Sequence, residues 1–290
     1  MYLDRENART APVPTDHGLS HSLLLRRDLS ERNHAFARKY ALPHQLSYGA
    51  VPTLTYEPFE NGTRHGNFFD GSYRAILANV EWARRLAKAH SQGRRSLPQN
   101  ERGFWCELDS SNSSDALLMN VFCYPGTLRS PAIRGMLNIG DDAGLRFGVR
   151  ARVPLSGGKQ DATEVDMRLG SLLVEAKLTE ADFQSKNKDV VERYCDLRDV
   201  FDTRALPRRN GLFLSYQLIR NVLAAHATGC AFCVVLDARR PDLMEAWYDV
   251  LRCVKSAELR VRLKALTWQE LAQALPRTLQ TFLDEKYGIR

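Results

Sequence analysis

The sequence predicts a mixed α/β fold, and three observations support this. Apolar residues alternate with polar ones in residues 145–153 and on both sides of Gly170-Ser171, which is the two-residue period of a half-buried strand. In residues 211–227 they recur every three or four positions, as in an amphipathic helix, and residues 111–123 lie between a serine cap and the helix stop Pro125-Gly126. With a further apolar run at 230–236, the elements follow the order helix, three strands, helix, strand. This αβββαβ order predicts a mixed central sheet flanked by helices.

The composition is that of a globular protein with a basic bias. The chain has 290 residues, with 41 Lys and Arg against 34 Asp and Glu, a net charge of +7, 44% apolar residues and 26% charged residues. These values exclude disordered, collagenous and fibrous classes. The longest aliphatic runs span three residues, whereas a membrane helix needs about 20. Since the first residues also lack the apolar stretch of a secretory signal, we expect a soluble cytoplasmic protein with no membrane partner.

The first 99 residues are predicted to form an N-terminal extension that packs on a core domain of residues 100–290. Residues 1–60 are rich in proline, with one short helix predicted at 29–42 and Ser30 as its cap. A second helix is predicted from Tyr73 to Ala87. Its basic face carries Arg74, Arg84, Arg85 and Lys88, for which solvation and phosphate contact are both open interpretations.

The segment SQGRRSLPQN is predicted to be the linker between extension and core, because it is rich in Ser, Gly and Pro. After the core, the pattern continues as a helix at 241–254, a strand at 258–268 and a helix that begins at Trp268. The six cysteines are predicted to be free thiols. Cys230 and Cys233 have metal-ligand spacing, but no second pair completes a zinc site, so a buried strand is the preferred interpretation.

The hairpin around Gly170-Ser171 carries the most chemical information. Gly followed by Ser is a recognised two-residue hairpin loop, and it predicts a register in which Leu169 opposes Leu172 and Asp166 opposes Glu175. Opposed residues share a face of the sheet. One face is then wholly apolar, with Val165, Met167, Leu169, Leu172, Val174 and Ala176, and the other carries Glu164, Asp166, Arg168, Leu173, Glu175 and Lys177.

On the polar face, Asp166 and Glu175 are expected to have Cβ atoms about 4.5–5.5 Å apart. Two carboxylates at this distance repel each other unless a cation lies between them, and Mg²⁺ prefers such oxygen ligands. Lys177 follows on the same face, where its ammonium group can orient a water molecule or stabilise negative charge. The alternative is a solvent-facing hairpin with cross-strand ion pairs, such as one between Glu164 and Lys177.

This arrangement resembles the PD-(D/E)XK nuclease superfamily, which has the fold of type II restriction endonucleases. Asp166 followed by Glu175-Ala176-Lys177 after a hairpin is similar to its D…(D/E)-x-K motif, with Val165 in place of the proline, and the αβββαβ order agrees with its core. The segments HGNF, SSNSSDALLMNVF, EAKLTEADF and YQLIRN are similar to a bacterial branch of restriction-endonuclease-like proteins. The resemblance covers about residues 60–275.

The resemblance implies that Asp166 and Glu175 bind Mg²⁺, for which Mn²⁺ can substitute, and that Lys177 acts on the attacking water. Superfamily members often add an acidic residue from the first core helix, and the candidates are Glu107 and Asp115. Glu164 is an alternative auxiliary acid, and Asn120 is a candidate for a residue that supports the site or caps a loop. In the next helix, Gln217 resembles a glutamine that some branches place at the site of the metal and its water.

The function predicted from these residues is a metal-dependent DNA endonuclease that cleaves by one-step attack of water. Arg220, on the same helix face as Gln217, is a candidate for phosphate contact. The further candidates for DNA binding are Arg84, Arg85, Arg150 and Arg152. Double-strand cleavage would favour a homodimer. Two alternatives are an inactive nucleic-acid-binding module of the same fold, and a metal-dependent hydrolase of another substrate.

Overall fold

A computed structural model describes residues 20–89 and 105–290. The α-helices in these residues are α1 (His21–Lys39), α2 (Asp70–Ala78), α3 (Val80–Arg85), α4 (Ser114–Phe122), α5 (Pro131–Leu137), α6 (Lys188–Val191), α7 (Leu197–Val200), α8 (Tyr216–Thr228), α9 (Pro241–Leu251), α10 (Ala257–Arg260), α11 (Trp268–Gln273) and α12 (Arg277–Tyr287). The strands are β1 (His44–Leu46), β2 (Leu54–Tyr56), β3 (Pro58–Phe59), β4 (Arg64–His65), β5 (Leu145–Arg150), β6 (Val153–Leu155), β7 (Lys159–Asp161), β8 (Glu164–Leu169), β9 (Leu172–Ala176), β10 (Lys186–Asn187), β11 (Arg208–Arg209), β12 (Leu212–Phe213), β13 (Ala231–Leu236) and β14 (Leu263–Thr267).

Five strands form the central sheet, in the order β14, β13, β9, β8, β5. The pairs β5 with β8 and β8 with β9 are antiparallel, whereas β13 is parallel to both β9 and β14. The sheet is therefore mixed, and α4, β5, β8, β9, α8 and β13 follow one another in the predicted αβββαβ order. The predicted fold class is confirmed.

Helices cover both faces of this sheet. Along β13, Phe232, Val234 and Leu236 pack into one hydrophobic cluster together with α8 and α9. Cys233 and Val235 point to the opposite face and pack with α1, α4, α5, α11 and α12. β9 and β13 are buried on both sides because parallel pairing places them in the middle of the sheet. Polar residues on β9 therefore lie in the protein interior.

The hairpin has the predicted register, with Met167, Arg168 and Leu169 of β8 opposite Val174, Leu173 and Leu172 of β9. Five of the six residues predicted for the apolar face lie in one cluster. Val165 packs instead in the cluster on the other face, together with Leu173. Leu173 was predicted on that second face, so the predicted division of the hairpin into two faces is wrong only at Val165.

The first helix begins earlier than predicted. Ser20 caps α1 at its N-terminus by accepting a hydrogen bond from the Leu23 backbone N–H, at 3.3 Å. Ser30, the predicted cap, lies inside the helix and donates to the carbonyl of Pro52 at 2.6 Å. The helix packs against α12, which the sequence analysis did not predict. The N-terminal and C-terminal helices are therefore adjacent in the fold.

The predicted helix from Tyr73 to Ala87 is two helices, α2 and α3. Asn79 separates them, and its side chain accepts hydrogen bonds from the backbone N–H groups of Glu81 and Trp82, at 3.0 and 3.2 Å. It thereby caps α3. Val80, an apolar residue in the middle of the predicted helix, is 69% exposed. The break turns α3 toward β5, against which it packs.

Two predicted strands are shorter than expected. Residues 145–153 do not form one strand, because β5 ends at Arg150 and Arg152 has a left-handed backbone with φ 53°. Residues 258–268 contain the short helix α10, which Ser256 caps, and only then β14. In both cases the alternating pattern in the sequence extends beyond the residues that pair in the sheet.

The predicted linker and the boundary near residue 99 lie outside the described residues. The division into an extension and a core therefore stays a prediction. All six cysteines are free, as predicted. Cys230 lies just before β13 and Cys233 lies within it, and both are buried as expected. No described helix has the length and apolar character that crossing a membrane requires.

Candidate active site

The two predicted metal ligands come from neighbouring strands. Asp166 lies on β8 and is half-buried, whereas Glu175 on β9 is only 2% exposed. Asp166 Oδ2 accepts a hydrogen bond from the backbone N–H of Ala176 at 2.9 Å, which fixes its side chain against the partner strand. Burial, and the nearby negative charges of Glu175 and then Asp115, raise the pKa of Asp166 well above its usual range. The two carboxylates are therefore close enough to repel each other.

Lys177 is held beside Glu175 in the interior. Its Nζ lies 2.8 Å from Glu175 Oε1, and the Lys177 side chain is 5% exposed. Burial alone lowers the pKa of Lys177, but the charges of Glu175, Glu180 and Asp166 outweigh this effect and raise the pKa above the usual range of lysine. The solvent-facing interpretation of the hairpin is wrong. Its proposed pair of Glu164 with Lys177 does not form either, because Glu164 binds Arg85 instead.

The second oxygen of Glu175 is held by α8. Asn221 donates from Nδ2 to Glu175 Oε2 at 2.8 Å, and Asn221 Oδ1 accepts from Nε and Nη2 of Arg220, at 3.1 and 3.0 Å. Arg220 is buried, with Nη2 3.8 Å from Glu175 Oε2. Asn221 is a site residue that was not predicted from the sequence. Its signal was its spacing, because Gln217, Arg220 and Asn221 stand at positions i, i+3 and i+4, on one helix face.

Of the two candidates for an additional acid, Asp115 is the one whose charge affects Asp166. Asp115 lies on α4 and is 4% exposed, whereas Glu107 belongs to a short 3₁₀ turn before that helix. Both carboxylates bind Lys88, with Nζ 2.8 Å from Asp115 Oδ2 and 2.9 Å from Glu107 Oε2. Asp115 is therefore the candidate that contributes to the raised pKa of Asp166.

The basic face of the second predicted helix is divided between two environments. Arg85 donates to Asp115 Oδ2 from Nη2 and to Glu164 Oε2 from Nη1, both at 2.9 Å. Together with Lys88, it places two cations beside the carboxylates of the hairpin. Arg84 is exposed, as are Arg150 at the end of β5 and Arg152 just after that strand.

These groups converge on a cavity of about 450 Å³. It is lined by Arg85, Lys88, Thr163, Glu164, Asp166, Glu175, Gln184, Lys186, Val190, Tyr216, Gln217 and Arg220. Six of the candidate site residues predicted from the sequence thus line one cavity, as does Lys88 of the basic helix face, with Lys177 behind Glu175 and Asp115 behind Arg85. Three further lining residues were not predicted as site residues from the sequence: Tyr216, Gln184 and Lys186.

Asn120 is not part of this cavity. Its Oδ1 accepts from the backbone N–H of Phe69 at 2.7 Å, and its Nδ2 donates to the carbonyls of Asn67 and Ala116, at 3.0 and 2.9 Å. Asn120 therefore ties the segment before α2 to α4. Of the two roles proposed for it, the contacts agree with the capping of a loop.

The donor set of the cavity fits a hard divalent cation. Among the residues that the structure describes, no group of three or more His, Cys, Asp and Glu side chains is arranged to hold a metal. The remaining candidate ligands for a metal are the carboxylates of Asp166 and Glu175. Asp166 Oδ1 accepts no hydrogen bond from the described residues. A carboxylate has about four acceptor positions, of which Glu175 uses two, for Lys177 and Asn221. Mg²⁺ is commonly bound through one or two carboxylates and several waters.

Comparison with known proteins identifies the family. The sequence model of a family described as Restriction Endonuclease associating with ARP (REase-ARP) matches residues 37–288. This range contains every residue of the candidate site. Neither the curated proteins nor the solved structures give a significant match. Since the family match extends over most of the sequence, the chain belongs to the family of restriction endonucleases associating with ARP.

Proposed function

We propose that the protein is a Mg²⁺-dependent DNA endonuclease of the PD-(D/E)XK type. The observation that carries this proposal is the meeting of Asp166 and Glu175 at one cavity, with Lys177 bound to Glu175 at 2.8 Å. These are the residues that the motif resemblance selects. Membership of a restriction-endonuclease family supports DNA as the substrate.

Asp166 and Glu175 would hold the divalent ion. When bound, such an ion lowers the pKa of a coordinated water and neutralises phosphate charge. Asp166 offers its free Oδ1, and Glu175 is kept in place from both sides by Lys177 and Asn221. Preorganisation of this kind keeps the ligands from having to rearrange during the reaction.

Lys177 would orient the attacking water. Its ammonium group has three donors, and one of them binds Glu175. The other two donors would bind the water. The Lys177 side chain is close enough to Asp166 for the negative charge of Asp166 to raise its pKa. A water held there can attack the phosphorus atom, and the bond to one ester oxygen breaks without a covalent enzyme intermediate. Gln217 lines the cavity from α8, and it would contact the same water.

Cationic side chains around the cavity would hold the phosphodiester. Arg85, Lys88, Lys186 and Arg220 all line it. Although Arg220 is bound to Asn221, its Nη1 donates no hydrogen bond within the described residues. Positive charges that line the cavity favour phosphate over neutral substrates. DNA affinity should therefore fall steeply with salt concentration.

The test is cleavage of plasmid DNA by the full chain with Mg²⁺, with Mn²⁺ and with EDTA. We expect nicking or linearisation with either metal and none with EDTA. Asp166→Asn keeps the size of the side chain and removes its charge, and we expect it to lower the rate at least about 100-fold. Asp199→Asn, at an exposed position on α7, is the matched control and should cleave like the wild type.

Two outcomes would replace this proposal. Salt-sensitive DNA binding without cleavage under all metal conditions would identify an inactive binding module. Absence of both binding and cleavage, in a protein that binds Mn²⁺ through Asp166, would favour a hydrolase of another substrate. Cleavage by Asp166→Asn at the wild-type rate would contradict the assigned site.

A further inference from the structure

A second cavity, of about 420 Å³, lies between α3 and β5. It is lined by Glu81, Trp82, Arg84, Arg146, Phe147 and Gly148, and we refer to it as the α3–β5 pocket. Its volume is within the range of small-molecule sites, about 300–1,000 Å³. None of the steps proposed for phosphodiester cleavage uses it.

The α3–β5 pocket lies next to the ion pair of Arg85 and Glu164, two residues of the carboxylate cavity. Gly148 has a left-handed backbone, with φ 63°, and a Cβ atom built on it would lie 2.3 Å from Arg85 Nη1 and 3.0 Å from Glu164 Oε2. Arg85 and Glu164 line the carboxylate cavity. The absence of a side chain at Gly148 therefore gives this ion pair its space. Gly148, which lines the α3–β5 pocket, lies against two residues that line the carboxylate cavity.

Two aromatic rings form the apolar part of the pocket. Trp82 and Phe147 meet edge to face, with ring centroids 6.3 Å apart and planes at 78°. Both side chains are half-buried, and Trp82 Nε1 donates to the Leu145 carbonyl at 3.5 Å. Within residues 20–89 and 105–290, no Lys or Arg is stacked over the Trp82 ring. The ring is therefore anchored at one edge and offers a stacking surface to a planar group.

Two arginines form the charged part. Arg84 and Arg146 are exposed, and neither forms an ion pair with any of the described residues. They outnumber the one carboxylate of the lining, that of Glu81. A planar stacking surface beside unpaired cations is the combination that binds nucleotides, because the ring contacts the base and the arginines contact phosphate.

We propose that the α3–β5 pocket binds an unpaired nucleotide next to the phosphodiester that is to be cleaved. This inference rests on the proposed nuclease function, because the pocket is interpreted by its place beside the carboxylate cavity. A base can stack on Trp82 only when it is outside a double helix. The preferred substrate is therefore single-stranded DNA, or DNA with an unpaired segment at the cut.

Tryptophan fluorescence tests this directly. Trp105, Trp247 and Trp268 are 7%, 1% and 1% exposed, so that quenching by a bound base reports on Trp82. The full chain is titrated in EDTA, where no cleavage is expected, with single-stranded oligo(dT) and with a duplex of the same length. We expect oligo(dT) to quench the fluorescence and to bind more tightly than the duplex.

Three variants separate stacking from general charge. Trp82→Ala should bind oligo(dT) about 5- to 150-fold more weakly. Trp82→Phe should keep most of the affinity and lose the quenching. Arg146→Gln leaves both rings in place and should reduce the slope of log affinity against log salt by about 0.7. Arg198→Gln, at an exposed position on α7, is the matched control and should leave that slope unchanged.

The inference is overturned if oligo(dT) causes no quenching, if the duplex binds as tightly, or if Trp82→Ala binds like the wild type. If Trp82→Ala does not fold, an unchanged salt slope in Arg146→Gln overturns it instead. A protein that cleaves DNA but fails this titration loses only the α3–β5 pocket as a nucleotide site. A protein that binds oligo(dT) through Trp82 but never cleaves loses only the proposed cleavage.

Discussion

Two lysines of this protein are buried, and their surroundings differ. Lys177 follows β9 and has its Nζ 2.8 Å from a carboxylate oxygen of Glu175. Lys286, in α12, is 0% exposed, and its Nζ donates to Asn33 Oδ1 at 2.6 Å. The ring centroid of Tyr56 lies 3.9 Å from the same Nζ. Among the described residues, no carboxylate pairs with Lys286.

This difference has opposite effects on the two pKa values. Burial lowers the pKa of Lys286 well below the usual range of lysine. The pKa of Lys177 is raised in spite of burial, since Glu175, Glu180 and Asp166 stabilise its charge. A buried amine thus stays charged where acidic groups are buried with it. The ammonium group of Lys177 in the candidate active site therefore stays charged, whereas the contact between α1 and α12 favours a neutral amine.

The largest effect is expected from Lys177→Met. The change leaves Glu175 buried without its closest cation, and we expect it to lower the free energy of unfolding by about 3–5 kcal/mol. Urea unfolding at pH 7 measures this. Lys39→Met is the matched control, because Lys39 binds Glu285 at a similar distance, 2.9 Å, but at the surface, and it should leave stability unchanged. Equal effects of the two substitutions would contradict the role of burial.

The next effect is expected from Asn221→Leu. It removes the hydrogen bonds to Glu175 and Arg220, and buried groups that lose their partners should cost about 1–3 kcal/mol of stability. Mn²⁺ affinity, measured by calorimetry, should fall as well, because Glu175 loses the contact that holds Oε2. Thr228→Val, at the other end of α8, removes a hydrogen bond to the Ala224 carbonyl and is the control. An unchanged Mn²⁺ affinity in Asn221→Leu would show that Lys177 alone positions Glu175.

The smallest expected effect on stability is a gain. Lys286→Met removes a buried amine that no carboxylate compensates, and Tyr56 still donates to Asn33 Oδ1 at 3.0 Å. We therefore expect the variant to be more stable at pH 7, by about 1–2 kcal/mol. A loss of stability comparable to that of Lys177→Met would show that the contacts with Asn33 and Tyr56 outweigh the cost of burial.

This gain in stability should depend on pH. In the folded protein the pKa of Lys286 is lowered, so that unfolding takes up a proton at neutral pH. Wild-type stability then rises as pH rises toward the usual lysine value of 10.5, since the unfolded chain binds the proton progressively less. The advantage of Lys286→Met should shrink over the same interval. Unfolding curves at pH 7 and at pH 9.5 measure this change.

The hairpin could be predicted in detail because its pattern is local. Gly170-Ser171 and the two-residue alternation fix the register of β8 against β9 within a few residues, so that Asp166 and Glu175 are brought to neighbouring positions. The break at Asn79 was missed although it is also local, because the side-chain cap competes with a helical pattern that continues past it. Alternation likewise continues past the ends of β5 and into α10.

The partners of the site residues could not be predicted from the chain. Asn221 reaches Glu175 from a helix 46 residues later, and Arg85 reaches Glu164 from one 79 residues earlier. Nothing in the local pattern ranks Asp115 above Glu107. These contacts depend on how α3, α4 and α8 pack around the sheet, and packing is decided by contacts that are distant in sequence.

The sequence thus determined the αβββαβ order, the hairpin register and the three motif residues, since the period of a strand or helix and the geometry of a turn act over a few residues. The tertiary structure decided which charges are buried, which are paired and which line a cavity. The physical reason is that the cost of a buried charge depends on the groups within a few ångströms of it. For Lys177 and Lys286 those groups come from different parts of the chain, and they give the same side chain opposite properties.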